Sequence, residues 1–423
     1  MISDRQTDIL VERIINKINK ANEYMLKQMG ETIKKIGKLS PTEAQNLVNI
    51  LKSGRDFYDI ITQLTEYTGL SANEIDEIFT EYAKKDYLFY KQFYRYRNKP
   101  FIDFAENATL LRQTVGLSES YKREMYNYLR PNVLGYSIRN AQGQIEFLGL
   151  RETYNRVLDE ALMNVSQGQQ TFDSAMSQIM EDIGGSGLKT LDYASGRSYR
   201  LDSMARMHLT EGLKALHNEN QKIIGEQFDY NGIEVTHHAN AAPDHIDTID
   251  GKQFALVDRI REQIAMGIES QIKEEDIRGN QVWVEGKMYD DFNAVNDSLE
   301  RPVSTLNCKH KEFPIILGVS KPEYTEEQLE EDKKKNLDGC IIDGKHYTLY
   351  EATQLQRQLE RRIRQQKDIQ IMAKAGDNNE LILKSQSKIT QLTQKYKEVS
   401  DISGLPTYME RTKVAGYKRT KVK

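Results

Sequence analysis

The chain has 423 residues, with 59 Lys and Arg against 63 Asp and Glu and a formal net charge of −4. That length can bury at least one sizeable core, with two or three domains the ordinary outcome, and the slightly acidic balance argues against nucleic-acid wrapping as the activity of the whole chain. Two cysteines cannot build a disulfide framework, no apolar run approaches the roughly 20 residues of a membrane span, and Met1–Asp8 lacks the basic and apolar regions of a secretory signal.

Only 8 prolines and 26 glycines favour long helices over a many-turned β-protein. Residues 1–130 read as successive helices. Ile9, Leu10, Ile14, Ile15 and Ile18 recur at near-helical spacing. Ser40-Pro41-Thr42-Glu43 is a capping box that opens a helix through about Leu51, and Ser71-Ala72-Asn73-Glu74 reads as a second, opening a helix through about Lys85. The aromatic run from Tyr87 to Tyr96 is interleaved with Lys91 and Arg95, a pattern that can stack bases and track phosphates. Helical spacing explains it more simply: Tyr87, Tyr90 and Tyr94 form one stripe, which could also serve as a tyrosine-rich protein–protein surface.

Residues 131–228 read as more helix with two breaks, a turn at Asn140–Gly143 and a flexible connection at Gly184-Gly185-Ser186-Gly187. No phosphate cradle of the G-x-x-x-x-G-K-[ST] or G-x-G-x-x-G type is present. The helix carrying Leu209, Leu213 and Leu216 also carries His208 and His217, which project on nearly opposite sides and read as ordinary polar positions. From about Asp229 to 325 the character changes to a small α+β module. Ile233, Val235 and Gln281-Val282-Trp283-Val284 suggest strands, and Asp250-Gly251 and Glu285-Gly286 suggest turns. Residues 326–410 return to helix, with a small hairpin at Ile341–Tyr347 and a helical hairpin divided at Gly376-Asp377-Asn378-Asn379. The last segment, 411–423, has six basic residues and no acid and reads as a mobile or partner-binding tail. The fold class expected is mainly α, long helices and helical hairpins around one small α+β module.

Chemistry concentrates in two short motifs, His237-His238-Ala239-Asn240-Ala241-Ala242-Pro243-Asp244-His245 and Asn307-Cys308-Lys309-His310. They hold four of the seven histidines and one of the two cysteines, with the Asp250-Gly251 turn close by. Cys308 and His310, two apart, share a face of an extended segment. With His238 and His245 they make a set of one cysteine and three histidines suited to tetrahedral zinc in a structural role, and Asp244 or Asp247 could replace one histidine. The competing reading is a set of hydrogen-bonded histidines pinning loops around Asp250-Gly251, and residue chemistry alone leaves the two open. Catalysis has less support: there is no H-E-x-x-H and no G-x-S-x-G, and Cys308 with His310 lacks an orienting third group in the sequence. No catalytic residue is assigned.

The flanking residues carry a resemblance. The run Val235–His245 with Gly251-Lys252-Gln253-Phe254, then Asn307-Cys308-Lys309-His310, Gly318-Val319-Ser320, Pro322-Glu323-Tyr324-Thr325 and Tyr347–Gln354, resembles the minor capsid proteins of phages and prophages of Gram-positive bacteria. These are related in role to the Mu-type head morphogenesis proteins. Ala242 stands where the family pattern has an arginine, so no anion site is assigned there. The resemblance spans roughly 150–410 and implies a non-enzymatic structural protein of the virion. It implies portal and major capsid proteins as partners, and host cytoplasm as the place of assembly. Packaged DNA could meet the basic tail. The alternatives are a metal-dependent hydrolase or toxin-like effector domain and a DNA-binding packaging accessory.

Overall fold

The computed structural model describes residues 4–420 apart from 54, 97–98, 141, 167–171, 193, 228, 269–271, 304 and 306–307. It is mainly helical with short antiparallel strands, in agreement with the expected class. The chain forms two compact units, each assembled from three segments: Met1–Thr7, Ile78–Glu119 and Leu209–Gln354 in one, and Asp8–Glu77, Ser120–His208 and Leu355–Lys423 in the other. Among the described residues no helix is long and apolar enough to cross a membrane.

In the second unit the helix Asp4–Ile36 presents Ile14, Ile18, Met25 and Met29 at spacings of four and seven. All four are at most 1% exposed, as a core-facing helical stripe requires. Ser40 caps the helix Pro41–Lys52 through a reciprocal box with Glu43. The second expected box is not one. Ser71–Asn73 end the helix Arg55–Asn73, the next helix starts at Ile75, and the Glu74 carboxylate turns to Lys17, 2.5 Å away, instead of capping.

A four-stranded sheet lies where only helix was expected, in the order Ile145–Gly149, Leu134–Arg139, Lys189–Asp192, Arg197–Arg200. Leu134–Ile138 is buried on both faces. It therefore lacks the alternation that marks a half-exposed strand. The hairpin between Leu134–Arg139 and Ile145–Gly149 is closed with Gly143 at φ 79° and the Asn140 side chain accepting from the Gln142 and Gln144 amides, as the turn expected here requires; Ala141 lies outside the described residues. Gly184–Ser186 do not form a flexible connection; they complete the helix Phe172–Ser186. The Gly184 Cα packs so closely on the Ile369 backbone that a Cβ there would sit 2.6 Å from it.

The helical hairpin Leu349–Ala375 and Asn379–Ser403 turns at Asn378, whose side chain caps the second helix. Buried beneath it, Arg200 bridges Asp202 at 3.2 Å and Asp368 at 2.9 Å, and Arg364 reaches Asp202 at 3.0 Å. The basic C-terminal segment is fixed as far as Thr420: Arg364 and Lys367 donate to the carbonyls of Arg411 and Thr412, and the Thr420 amide donates to Gln386.

In the first unit the tyrosine stripe is internal. Tyr87, Tyr90 and Tyr94 are at most 3% exposed, and Tyr87 stacks on Phe101 at 4.8 Å. The stripe is therefore core and forms neither a base-stacking platform nor a docking surface. On the helix Leu201–Glu226, Leu209, Leu213 and Leu216 are buried, and His217 is buried with them, bonded to Asp86 at 2.7 Å. His208, at the end of the second unit's middle segment, is also buried and bonded to the Tyr121 carbonyl at 3.0 Å.

Two three-stranded sheets and one two-stranded hairpin belong to the first unit among the described residues. Ile277–Arg278, Gln281–Val284 and Lys287–Asp290 form one, with Glu285 and Gly286 both at positive φ in the tight turn. The other runs Glu312–Ile315, Gly232–Val235, Gln253–Ala255. Ile233, Val235 and Phe254 pack with Phe292 and Val303 in one cluster, while Ala255 and Ile315 join Val282 and Val284 in another. The hairpin expected at Ile341–Tyr347 forms as Cys340–Ile342 and Lys345–Tyr347.

Candidate metal centre

The sheet order explains how motifs far apart in sequence meet. Gly232–Val235 is antiparallel to both neighbours, with Val235 opposite Glu312 and Glu234 opposite Gln253. The chain leaving Val235 toward His237-His238, the chain entering at Gln253 from Asp250-Gly251, and the chain entering at Glu312 from Cys308 and His310 therefore share one end of the sheet. The Thr236 amide donates to the Lys311 carbonyl and the Lys311 amide to Thr236 Oγ1, which extends the pairing beyond the strand. The Pro243–Ile246 helical turn then brings His245 back over this end.

Three of the four expected ligands converge. His245 Nδ1 lies 3.2 Å from His310 Nδ1; Cys308 Sγ lies 3.3 Å from His310 Nδ1 and 3.7 Å from His245 Nδ1. Both histidines are 3% exposed, and Cys308 is half-buried. The fourth, His238, stands outside this group of atoms. Its Nε2 is 3.4 Å from Thr236 Oγ1 and its ring meets His310 edge-on at 4.9 Å. The carboxylates that could have replaced a histidine are engaged elsewhere: Asp244 takes both ends of the Arg301 guanidinium, and Asp247 pairs with Lys333 at 2.7 Å. Asn307 lies outside the described residues.

Asp250 organises the surrounding shell. One of its oxygens accepts from His310 Nε2 at 2.8 Å and from the His238 amide at 2.7 Å, and the other faces His237 Nδ1 at 2.6 Å. Burial would raise its pKa, but the bonds to His237 and His310 prevail and hold it down at about 2. Burial likewise opposes a charge on His310, yet hydrogen bonds to Asp250 and Cys308 lift it to about 9. His237, bridging Asp250 and Asp332, is also raised, against the effect of its burial. Gly251 sits at φ 70°, and a Cβ there would be 2.4 Å from Leu329, so the turn beside Asp250 admits only glycine without strain.

The arrangement fixes tautomers. His245 Nε2 is 2.6 Å from the Arg301 carbonyl, which can only accept, so Nε2 carries the hydrogen there. His310 Nε2 donates in the same way to Asp250. The two Nδ1 atoms are thus aimed at one point together with a sulfur, and either a shared proton or a cation can satisfy them. Cys308, His310 and Asp250 also line up as thiol, imidazole and carboxylate, so the structure supplies the third group that sequence spacing could not show. All three convergent residues line a cavity of about 260 Å³ whose wall includes Arg301, Tyr350 and Thr353. Arg301 and Tyr350 carry no local sequence signal that links them to the motifs.

The molecule is a mainly helical protein with a small α+β module whose loops are joined by buried polar bonds, and comparison with known families is specific. The chain belongs to the phage minor capsid protein family: the model described as phage minor capsid protein 2 matches residues 2–399, and so takes in the N-terminal helical stretch that the motif resemblance did not reach. Its role is that of a structural protein of the phage capsid. No curated protein and no solved structure gives a match.

Proposed function

We propose that this chain is a low-copy head protein that assembles with the portal protein and the major capsid protein at the portal vertex or capsid interior, in the host cytoplasm, and acts without catalysis. The observation that carries the proposal is the family match over residues 2–399. The α+β module suits a locking element. Its strands are two to four residues long, and polar bonds centred on Asp250 hold the loops that those strands cannot. The docking of Arg411–Thr420 on the helical hairpin favours a structural use of that basic segment over a free DNA-binding arm.

Co-expression with the portal protein of the same phage, followed by pull-down through a portal tag, tests the proposal. Retention at low and moderate salt is expected. Loss at both would overturn portal association, and DNA affinity falling steeply with salt would instead favour the packaging reading.

A further inference from the structure

We propose that His245 Nδ1, His310 Nδ1 and Cys308 Sγ hold one zinc ion, with its fourth coordination position open to the adjoining cavity and taken by water. Tetrahedral zinc has Zn–N near 2.0–2.1 Å and Zn–S near 2.3 Å, which puts ligand nitrogens about 3.3 Å apart and nitrogen and sulfur about 3.6 Å apart. The observed separations are 3.2 Å between the nitrogens, and 3.3 and 3.7 Å from each nitrogen to the sulfur. Three donor atoms from two segments, the Pro243–Ile246 turn and the stretch entering the strand at Glu312, thus already form one face of the required tetrahedron.

The outer shell is an independent observation. Metal-bound histidines donate their other ring N–H to a carboxylate or a backbone carbonyl, which fixes the tautomer and aims the free nitrogen at the ion. Both partners are present: Asp250 for His310 and the Arg301 carbonyl for His245. A cysteine-histidine pair serving as nucleophile and base needs only one imidazole, and leaves the second Nδ1, that of His245, without a role. One thiolate and two imidazoles select a borderline-soft ion such as zinc over magnesium or calcium, which take oxygen ligands. The carboxylates nearest the motifs are committed to Arg301, Lys333 and the histidines, so among the described residues the ion's candidate ligands are the two imidazoles and the thiolate.

The test uses the purified full chain, loaded with zinc and freed of excess, with metal measured by mass spectrometry. Equimolar zinc is expected in the wild type and in Cys340→Ala, which removes the other free cysteine. Cys308→Ser should lose it, with Trp283 fluorescence reporting that the unit remains folded. Asp250→Asn should weaken zinc binding about 10–100-fold. Bound zinc should also protect Cys308 from alkylation by iodoacetamide. The cobalt-loaded protein should show a thiolate charge-transfer band, and added imidazole should shift its visible spectrum by entering the open position. Substoichiometric zinc in the wild type, full binding by a folded Cys308→Ser variant, or alkylation indifferent to zinc would each overturn the site. A cobalt spectrum unmoved by imidazole would overturn the open position and bring His238 in as a fourth ligand.

Discussion

Replacing Asp250 by alanine removes one carboxylate from three donors at once: His237 Nδ1 at 2.6 Å, His310 Nε2 at 2.8 Å and the His238 amide at 2.7 Å. Asp250 is 3% exposed, so water cannot take its place without opening the loops. The individual bonds should not be summed, because they share one acceptor group. The better guide is the cost of removing one partner from a buried, hydrogen-bonded ion pair, about 3–5 kcal/mol. For a unit of roughly 200 residues, each kcal/mol lowers the midpoint by about 2–4 °C, so the shift expected is about 6–20 °C. The single tryptophan, Trp283, belongs to the same unit, so its fluorescence reports this transition. The melt should be run with chelator present, to separate hydrogen bonding from any bound metal. Asp250→Asn, which keeps one acceptor, should fall between the alanine variant and the wild type. A midpoint within about 2 °C of wild type for Asp250→Ala, below even a 1–2 kcal/mol loss, would refute the view that this carboxylate holds the module together.

Three further outcomes follow from particular positions. Gly135 and Gly149 are directly opposite in a strand pair, yet a Cβ at Gly135 would lie 2.0 Å from the Leu148 carbonyl oxygen, whereas one at Gly149 would meet only Glu152 at 3.6 Å. Denaturant unfolding should therefore show Gly135→Ala destabilised by about 3 kcal/mol, the upper end of overpacking, and Gly149→Ala by less than about 1 kcal/mol; equal losses would contradict the packing described. Gly251→Ala should lose at least about 1–2 kcal/mol from its left-handed backbone, and more than Gly279→Ala, which has a similar φ of 62° but nothing within 4 Å of its Cβ. Loss no greater at 251 would show that Leu329 yields freely. Asp368 is raised from 3.8 to about 6 by burial, despite the opposing attraction of Arg200. Its folded pKa lies above its unfolded one, so the folded state binds the proton more tightly, and stability falls as pH rises from about 4 to about 6, by about 3 kcal/mol. Asp368→Asn should lack this slope in pH-dependent unfolding; an unchanged slope would assign it elsewhere.

Much of the architecture was legible along the chain because it rests on local signals. The capping box at Ser40 and the turns at Glu285-Gly286 and Asp377-Asn378 depend on neighbours in sequence. The four-stranded sheet was hidden for the opposite reason. Leu134–Ile138 is buried on both sides, so it shows no alternation, and its partner on one flank is more than 50 residues away; the third and fourth strands do form a short hairpin, but at four residues each they are too brief for a period to stand out. Glu74 illustrates a tertiary override: its sequence fits a cap, but the preceding helix continues through Ser71–Asn73 and the carboxylate pairs with Lys17. At the site, residue types identified His245, Cys308 and His310, because soft donors at short spacing are rare. What they could not give was direction. Whether His238 joins the others depends on which way its ring turns at the end of a strand, and Arg301 enters only through the antiparallel pairing that brings separate loops to one edge. The same holds for the tyrosine stripe, where spacing gave the helix face and tertiary packing placed that face inside.

The central claim, that this chain is built into the phage head, is tested most directly by assembling heads from co-expressed portal, scaffolding and major capsid proteins with this chain present. The chain should sediment with purified heads at a fixed ratio to the portal and should remain after a wash at moderate salt. Heads that form with the chain left quantitatively in the unassembled fraction would contradict the account.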